Sequence, residues 1–331
     1  MPARFGIGLR SDRPLSEYGP LARLVEELGF AVVTLFADLG YPPPLPPLLE
    51  VAAATSRVSL GRACLNPYTM HPVEIAGQVA TLDAVSKGRA YVGLARGAWL
   101  SSIDLPQPRP VTAVREAAEV VRRLLSGDAS GYRGEMFSIE PGFRLRHEVV
   151  RQQVPLLIGA WGNRMAALAG EIADELKVGG SASPRLVPVM LSRLRDGAAT
   201  AGRDPGSTGL VLGAVTVVDA DGGAARDRAR SAVAMYFQVV ANLDPTLEVP
   251  EDLIERVGQR LKKGDDAGAG RLIPDELLDH FAFAGTPEHV VRQVTDILDA
   301  GAARIEFGSP FGLEAERGLR LLGERVLPEF R

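Results

Sequence analysis

An α/β fold of eight parallel strands closed into a (β/α)8 TIM barrel, with insertions at the C-terminal strand ends, is what the sequence predicts. Two observations carry that expectation. Short apolar, β-rich runs alternate with longer stretches of helical periodicity along the whole chain, and eight such runs can be counted. Alternation of that kind calls for a parallel sheet, whose strands are buried on both faces and read as nearly continuous apolar segments. In addition, no glycine fingerprint follows the first run, so the open doubly wound sheet has little support. Residues 1–331 are read as one domain, a length such barrels routinely reach.

The elements follow in order. Residues 4–9 form the first strand, and the amphipathic stretch 15–28 is closed by Gly29, a C-cap signal. The run 30–36 is the second strand. Five prolines between Tyr41 and Pro47 predict a stiff loop, with a short helix only at 48–56. Strand 58–64 is stopped by Asn66-Pro67-Tyr68. Helix 71–86 presents Val73, Ile75, Ala76, Val79, Leu82 and Val85 on one face, Lys87-Gly88-Arg89 turns the chain, and 90–95 is the fourth strand. Helix 111–125 precedes a polar, Gly-dotted excursion over 127–153, in which Met136-Phe137 and Phe143-Arg144-Leu145 are expected to pair as a hairpin. Strands 154–159, 175–178, 209–218 and 302–307 complete the set of eight. Helices are expected at 163–173, 184–201, 224–241, 250–263, 274–280, 288–299 and 313–326. Thr286-Pro287-Glu288 is a helix start, with Thr as N-cap and Pro at the first position.

Composition narrows the function classes. The chain is 46% hydrophobic and 24% charged with a net charge of −4, and no run of Lys or Arg forms a patch for nucleic acid. A single cysteine, Cys64, excludes an internal disulfide and suits a reducing compartment. No apolar run approaches the roughly 18 residues of a membrane span, and residues 4–9 already read as strand, so no signal peptide is expected. A cytoplasmic protein acting on a small molecule is the expectation. No Cys/His cluster has metal-ligand spacing, and no Gly-x-Ser-x-Gly elbow is present.

In barrels of this kind, function sits on the loops at the C-terminal strand ends. Here those loops are rich in Gly and small residues, which allow close backbone approach. Gly159-Ala160-Trp161-Gly162-Asn163-Arg164 follows a strand and opens a helix, so free backbone N–H groups and the positive dipole end meet at one spot. Read alone, it is an anion site or a capped turn. Trp99 and Trp161, the two tryptophans of the chain, both lie on such loops, and at least one of them is expected to wall the substrate pocket. His71, followed by Pro72, reads as a helix cap. His280 and His289 read as lying on helices away from the strand ends.

Leu60-Gly61, Asn66-Pro67-Tyr68-Thr69, His71-Pro72, Ala80-Thr81-Leu82-Asp83, Gly88-Arg89-Ala90 and the pair Gly93 and Gly97 form one string of motifs. Ile158-Gly159-Ala160, Gly162, the run from Leu168 to Asp174, Gly264-Asp265, Gly285-Thr286-Pro287-Glu288 and Gly308-Ser309-Pro310 continue it. In order and spacing the string resembles the luciferase-like flavin and deazaflavin oxidoreductases, and among them the methylenetetrahydromethanopterin reductases.

The resemblance implies coenzyme F420 as hydride carrier, with FMN as the alternative. It also implies a homodimer packing the helices of the second and third βα units. The activity implied is hydride transfer between the deazaflavin and an electron-poor C=N or C=C carbon. An FMN-dependent monooxygenase and a catalytically silent flavin-binding barrel are the competing readings. By the same resemblance Gly159, Ala160, Trp161, Gly162 and Asn163 hold the cofactor phosphate, while Gly93, Arg96 and Gly97 line its pocket. Asn66 and Tyr68 reach the ring edge or its tail. The Ala63-Cys64 peptide, expected cis, backs the ring. Three positions depart from the pattern: Gly8 stands where the resembled reductases have glutamate, Leu39 where many relatives have histidine, and Ala98 where an acidic residue is common. Asp38, Tyr68 and Glu306, in that order, are the remaining candidates for handling a proton.

Overall fold

The computed structural model describes residues 4–331. The first half runs β1 (Arg4–Leu9), α1 (Leu15–Glu27), β2 (Val32–Leu35), α2 (Leu45–Ala54), β3 (Ser59–Leu65), α3 (Pro72–Val85), β4 (Ala90–Leu94) and α4 (Pro110–Ser126). A two-stranded excursion, β5 (Tyr132–Arg133) and β6 (Ser138–Ile139), leads to β7 (Leu156–Gly159), α5 (Asn163–Ile172), β8 (Glu175–Gly179), α6 (Leu186–Thr200) and β9 (Gly209–Val218). Four helices follow, α7 (Gly222–Val240), α8 (Glu251–Leu261), α9 (Asp266–Gly270) and α10 (Asp275–Phe281). The chain then forms β10 (Ala282–Gly285), α11 (Pro287–Asp299), β11 (Arg304–Phe311) and α12 (Ala315–Leu321).

Eight strands close a parallel ring in the order β1, β2, β3, β4, β7, β8, β9, β11, with β11 returning to β1. These are the eight predicted strands, and the fold is the (β/α)8 barrel. The outer core lies between ring and helices: Leu60, Val79, Leu82, Val121, Ile158, Leu168, Leu212 and Ile305 belong to one buried cluster. Turn chemistry supports the element order. Lys87 and Gly88 both take positive φ, and the Arg89 guanidinium that follows donates to the carbonyls of Ala52, Thr55 and Val58 at 2.8–2.9 Å. This joins the C-terminus of α2 to the β3–β4 connection.

Several expectations are corrected. The helix after the proline run begins at Leu45, because Pro46 and Pro47 sit in its first turn, where a missing N–H costs nothing. The hairpin in the excursion pairs Tyr132 with Ile139 and Arg133 with Ser138, further upstream than expected. Its turn is held by Glu116 on α4, whose carboxylate accepts the N–H groups of Glu135, Met136 and Phe137 at 2.7–3.0 Å. Residues 282–285, unassigned from sequence, form a ninth parallel strand, which pairs with the far end of β9 at Val215 to Val218. The last helix is shorter than 313–326: it passes from α12 into a π-turn at Leu322–Val326 and a 3-10 turn at Leu327–Phe330. Strand β2 is Val32–Leu35 and not 30–36.

Inside the ring the packing is unusual. Val32, Ala63, Tyr91 and Leu157 form a small apolar cluster of their own. Glycines give room to larger neighbours: a Cβ on Gly61 would meet the Tyr91 ring at 2.8 Å, and one on Gly6 would meet Nη1 of Arg304 at 2.9 Å. A Cβ on Gly213 would meet Cβ of Glu306 at 3.3 Å and Cε of Lys177 at 3.4 Å. The Tyr91 ring fills the space left at Gly61, and charged side chains fill that at Gly6 and Gly213.

Candidate functional site

Strands β8 and β11 each place two charged residues two positions apart, and the period of a strand turns both to the same face. Glu175 and Lys177 come from β8, Arg304 and Glu306 from β11. They form a ladder. Arg304 donates to Glu175 through Nε at 3.0 Å and Nη2 at 2.6 Å, and through Nη1 to Oε2 of Glu306 at 3.3 Å. Lys177 Nζ closes on Oε1 of Glu306. Thr34 on β2 donates to Oε2 of Glu306 at 2.7 Å, so its single proton is engaged and the Tyr91 hydroxyl must be the donor to Thr34 at 2.6 Å. Lys177, Arg304 and Glu306 are all buried, and two carboxylates balance two cations.

Burial works to raise the Glu306 carboxyl, but Lys177, Arg304 and the Thr34 hydroxyl together hold it below the ordinary glutamate range. Both oxygens of Glu306 are thus bonded within the ladder, Oε1 by Lys177 and Oε2 by Arg304 and Thr34. Above it, the Lys177 ammonium lies 4.7 Å from the centroid of the Phe36 ring, a cation–π contact. Asp38 follows two residues after Phe36. Its carboxyl is raised by burial, against the opposing pull of Lys177, Arg10 and the Tyr236 hydroxyl. Tyr236, on α7, is itself raised by burial and by Asp38, and its ring packs on Trp99 at 6.2 Å. Loops after β2 and β4 are thus bridged by one residue of the helix after β9.

The predicted residues of the β3 and β4 ends come together, largely through one another. The Ala63-Cys64 peptide is cis, as the resemblance implied, at a register shift between Arg62 and Leu65. Gly93 is glycine because a Cβ there would run into the Arg62 carbonyl and Cα of Ala63. Asn66 turns its Oδ1 to the N–H groups of Tyr68 and Thr69 at 3.1 and 2.9 Å, shaping the loop. Gly97, at φ 87°, lies against Asn66, where a Cβ would come 3.0 Å from Cγ. The Tyr68 hydroxyl donates to the Pro108 carbonyl at 2.8 Å, and the exposed Arg96 has its carbonyl bonded by Gln107. The thiol of Cys64 occupies the space over Gly159, where a Cβ would approach Sγ to 2.6 Å; burial pushes that thiol up to about 12. His71 caps α3, its Nδ1 accepting from the Val73 N–H at 3.2 Å.

On the next two strands, Ala160 N–H bonds the Lys177 carbonyl at 3.0 Å. Trp161 donates from Nε1 to the Gly179 carbonyl at 3.0 Å and accepts at its own carbonyl from Arg193 at 2.6 Å. Gly162 is the N-cap of α5 and offers no side-chain cap, so the first-turn N–H groups from Asn163 onward carry no capping partner. A Cβ on Gly162 or Gly179 would meet nothing within 4 Å. His280, expected away from the strand ends, contacts the Ser183 hydroxyl at 3.0 Å on the loop after β8. The sequence reading missed Lys177, Thr34, Tyr91, Arg304, Glu175, Arg10 and Tyr236. A signal existed for three of them, Glu175, Lys177 and Arg304, since Glu-x-Lys and Arg-x-Glu inside otherwise apolar strands mark charges on a buried face.

Uncapped donors of α5 beside open space over two strand-end glycines suit a phosphate joined to a flat ring, and the residues fit such a cofactor. No group of three or more His, Cys, Asp or Glu side chains among the described residues is arranged to hold a metal.

A parallel barrel with a polar interior and glycine-lined strand ends defines the class. The chain belongs to the luciferase-like monooxygenase family, whose model matches residues 1–304. Within it, the chain is 30% identical to the 5,10-methylenetetrahydromethanopterin reductase of Methanopyrus kandleri over 99% of this chain and 98% of that protein. It is 28% identical to an F420-dependent glucose-6-phosphate dehydrogenase of Microbacterium testaceum, over 100% of this chain and 98% of the relative. Among solved structures, the coenzyme F420 dependent tetrahydromethanopterin reductase from Methanopyrus kandleri superposes with a TM-score of 0.90 at 27% identity, covering 100% of both chains.

Proposed function

We propose that this protein is a coenzyme F420-dependent oxidoreductase that moves a hydride between the deazaflavin and an electron-poor C=N or C=C carbon of a small organic substrate. The full-length likeness to the F420-dependent reductase, at a TM-score of 0.90, carries this reading. When bound, the cofactor supplies the hydride. The protein supplies position and charge. The uncapped start of α5 at Gly162 and Asn163 takes the phosphate; the β3 bulge at Ala63 and Cys64 and the glycines of β4 and β7 shape the ring's bed. Asp38, whose carboxyl is raised by burial, holds or gives up a proton beside the reacting carbon. Cys64, with its thiol pushed up to about 12, stays neutral and acts by shape. Tyr68, tied to Pro108, fixes the β3 loop over this bed.

We read the chain as one domain acting as a homodimer through the α2 and α3 region, on the resemblance alone. Sedimentation at micromolar concentration tests the dimer, and a monomer there counts against it. The function is tested by titrating purified protein separately with coenzyme F420 and with FMN, following fluorescence quenching. Micromolar or tighter binding of F420 with weak FMN binding is expected. Tight, stoichiometric FMN copurifying from cells overturns the reading in favour of a flavin monooxygenase.

A further inference from the structure

We propose that the groove between α5 and α6 holds the acidic tail of the cofactor, with Arg164 and Arg193 pairing with its carboxylates. The inference deepens the proposed function and rests on it: coenzyme F420 continues past its phosphate into a chain of glutamates, whereas FMN ends at the phosphate. A site for that tail therefore also separates the two cofactors.

The groove offers about 400 Å³ and is walled by Asn163, Arg164 and Ala167 of α5 and by Val189, Arg193 and Asp196 of α6. Its place follows from how the two helices pack. A Cβ on Gly170 would run into the Leu194 carbonyl, and one on Gly197 into the Ala167 carbonyl, so the backbones touch there. The groove begins where that contact ends, and it reaches Asn163 and Arg164, the first two residues of α5. A chain leaving a phosphate at Gly162 and Asn163 enters it directly.

The charge of the groove suits a polyanion. The Arg193 guanidinium is held from one side: Nη1 donates to the Trp161 carbonyl at 2.6 Å and lies 3.1 Å from Sδ of Met190. This ties the groove wall to the loop after β7. Nε and Nη2 make no hydrogen bond among the described residues, and that pair of donors matches the two oxygens of a carboxylate. Burial disfavours the charge on Arg193 and Asp244 favours it, with no ion pair between them. Arg164 is exposed, and its side chain enters no hydrogen bond or ion pair among the described residues. Asp196 is the carboxylate of the groove wall, and it pairs with neither arginine. Two cations left without a carboxylate, on opposite walls of a groove that starts at the phosphate position, complement a chain of carboxylates.

Fluorescence titration with two forms of the cofactor tests this: F420 with a long glutamate chain, and the form that ends at the phospholactyl group. The wild type should bind the long form about tenfold more tightly, as expected of two partly exposed ion pairs, and added salt should narrow the difference. In the double variant Arg164→Gln, Arg193→Gln the ratio of the two affinities should fall to near one. If loss of the Trp161 contact unfolds that variant, Arg164→Gln decides alone, since its side chain holds nothing in the fold, and the ratio should fall to about half or less. Equal affinities in the wild type overturn the tail site and leave the proposed function standing. So does a ratio that the variants leave unchanged, including an equal loss for both forms, which would put the arginines on the phosphate. Failure of both forms to bind the wild type rejects the proposed function, and this site with it.

Discussion

The Glu306 carboxylate closes against the α-carbon of Gly8: a Cβ built on Gly8 would lie 2.9 Å from Oε1 of Glu306 and 2.5 Å from Cζ of Phe36. Gly8 is the position at which the resemblance read from the sequence implies a glutamate. Here a carboxylate reaches the same spot from β11, the neighbouring strand. Gly8→Ala should therefore crowd two fixed groups and destabilise the fold by about 1–3 kcal/mol, the usual cost of overpacking. Urea denaturation measures it, and an unchanged midpoint would show that the Phe36 ring yields freely.

Glu306→Gln should do more, because it leaves Lys177 and Arg304 buried without their shared partner. A loss of about 3–5 kcal/mol at neutral pH is expected. The pH dependence follows in sign. Glu306 is depressed in the folded state, so its contribution is complete above the ordinary glutamate value of about 4.3 and is lost as pH falls through the folded value. Wild type should lose stability in that acid window, while Glu306→Gln, already weakened, should show less of this acid dependence. Parallel acid titrations by circular dichroism would refute the assignment if both proteins lose stability equally.

Tyr236→Phe removes a hydroxyl that favours ionised Asp38 and keeps the ring on Trp99. The Asp38 midpoint should rise further, and the limb of the hydride-transfer rate that depends on it should move to higher pH. Asp38→Asn should abolish that limb. Single-turnover measurements in which Asp38→Asn retains the full rate and pH profile would exclude Asp38 from catalysis.

Gly162→Asp places a carboxylate at the uncapped N-terminus of α5. Nothing stands within 4 Å of the new Cβ, so the fold should be retained. The carboxylate would cap the helix and repel a bound phosphate. F420 affinity should fall below detection in a fluorescence titration while the thermal midpoint stays level or rises. Unchanged affinity would make this loop a structural turn only.

Much of the architecture was legible in the sequence, because strand and helix periodicity and turn residues are local. The eight ring strands, the Lys87-Gly88 turn and the caps at His71 and Thr286 all follow from neighbours a few positions apart. Several residues of the recognised motifs act in the same way on the scaffold: the Asp83 and Asp174 carboxylates accept the N–H groups of Ala90 and Leu156 at 3.0 and 2.7 Å. What only the tertiary structure decided is where the charges stand. Asp38, Lys177 and Glu306 are far apart in the chain, and nothing local says that Glu306 answers to Gly8, that Lys177 lies against Phe36, or that Tyr236 reaches over to Asp38. Ring closure sets those pairings, and only in the closed ring does burial act on one carboxyl to raise it while two cations hold the other ionised.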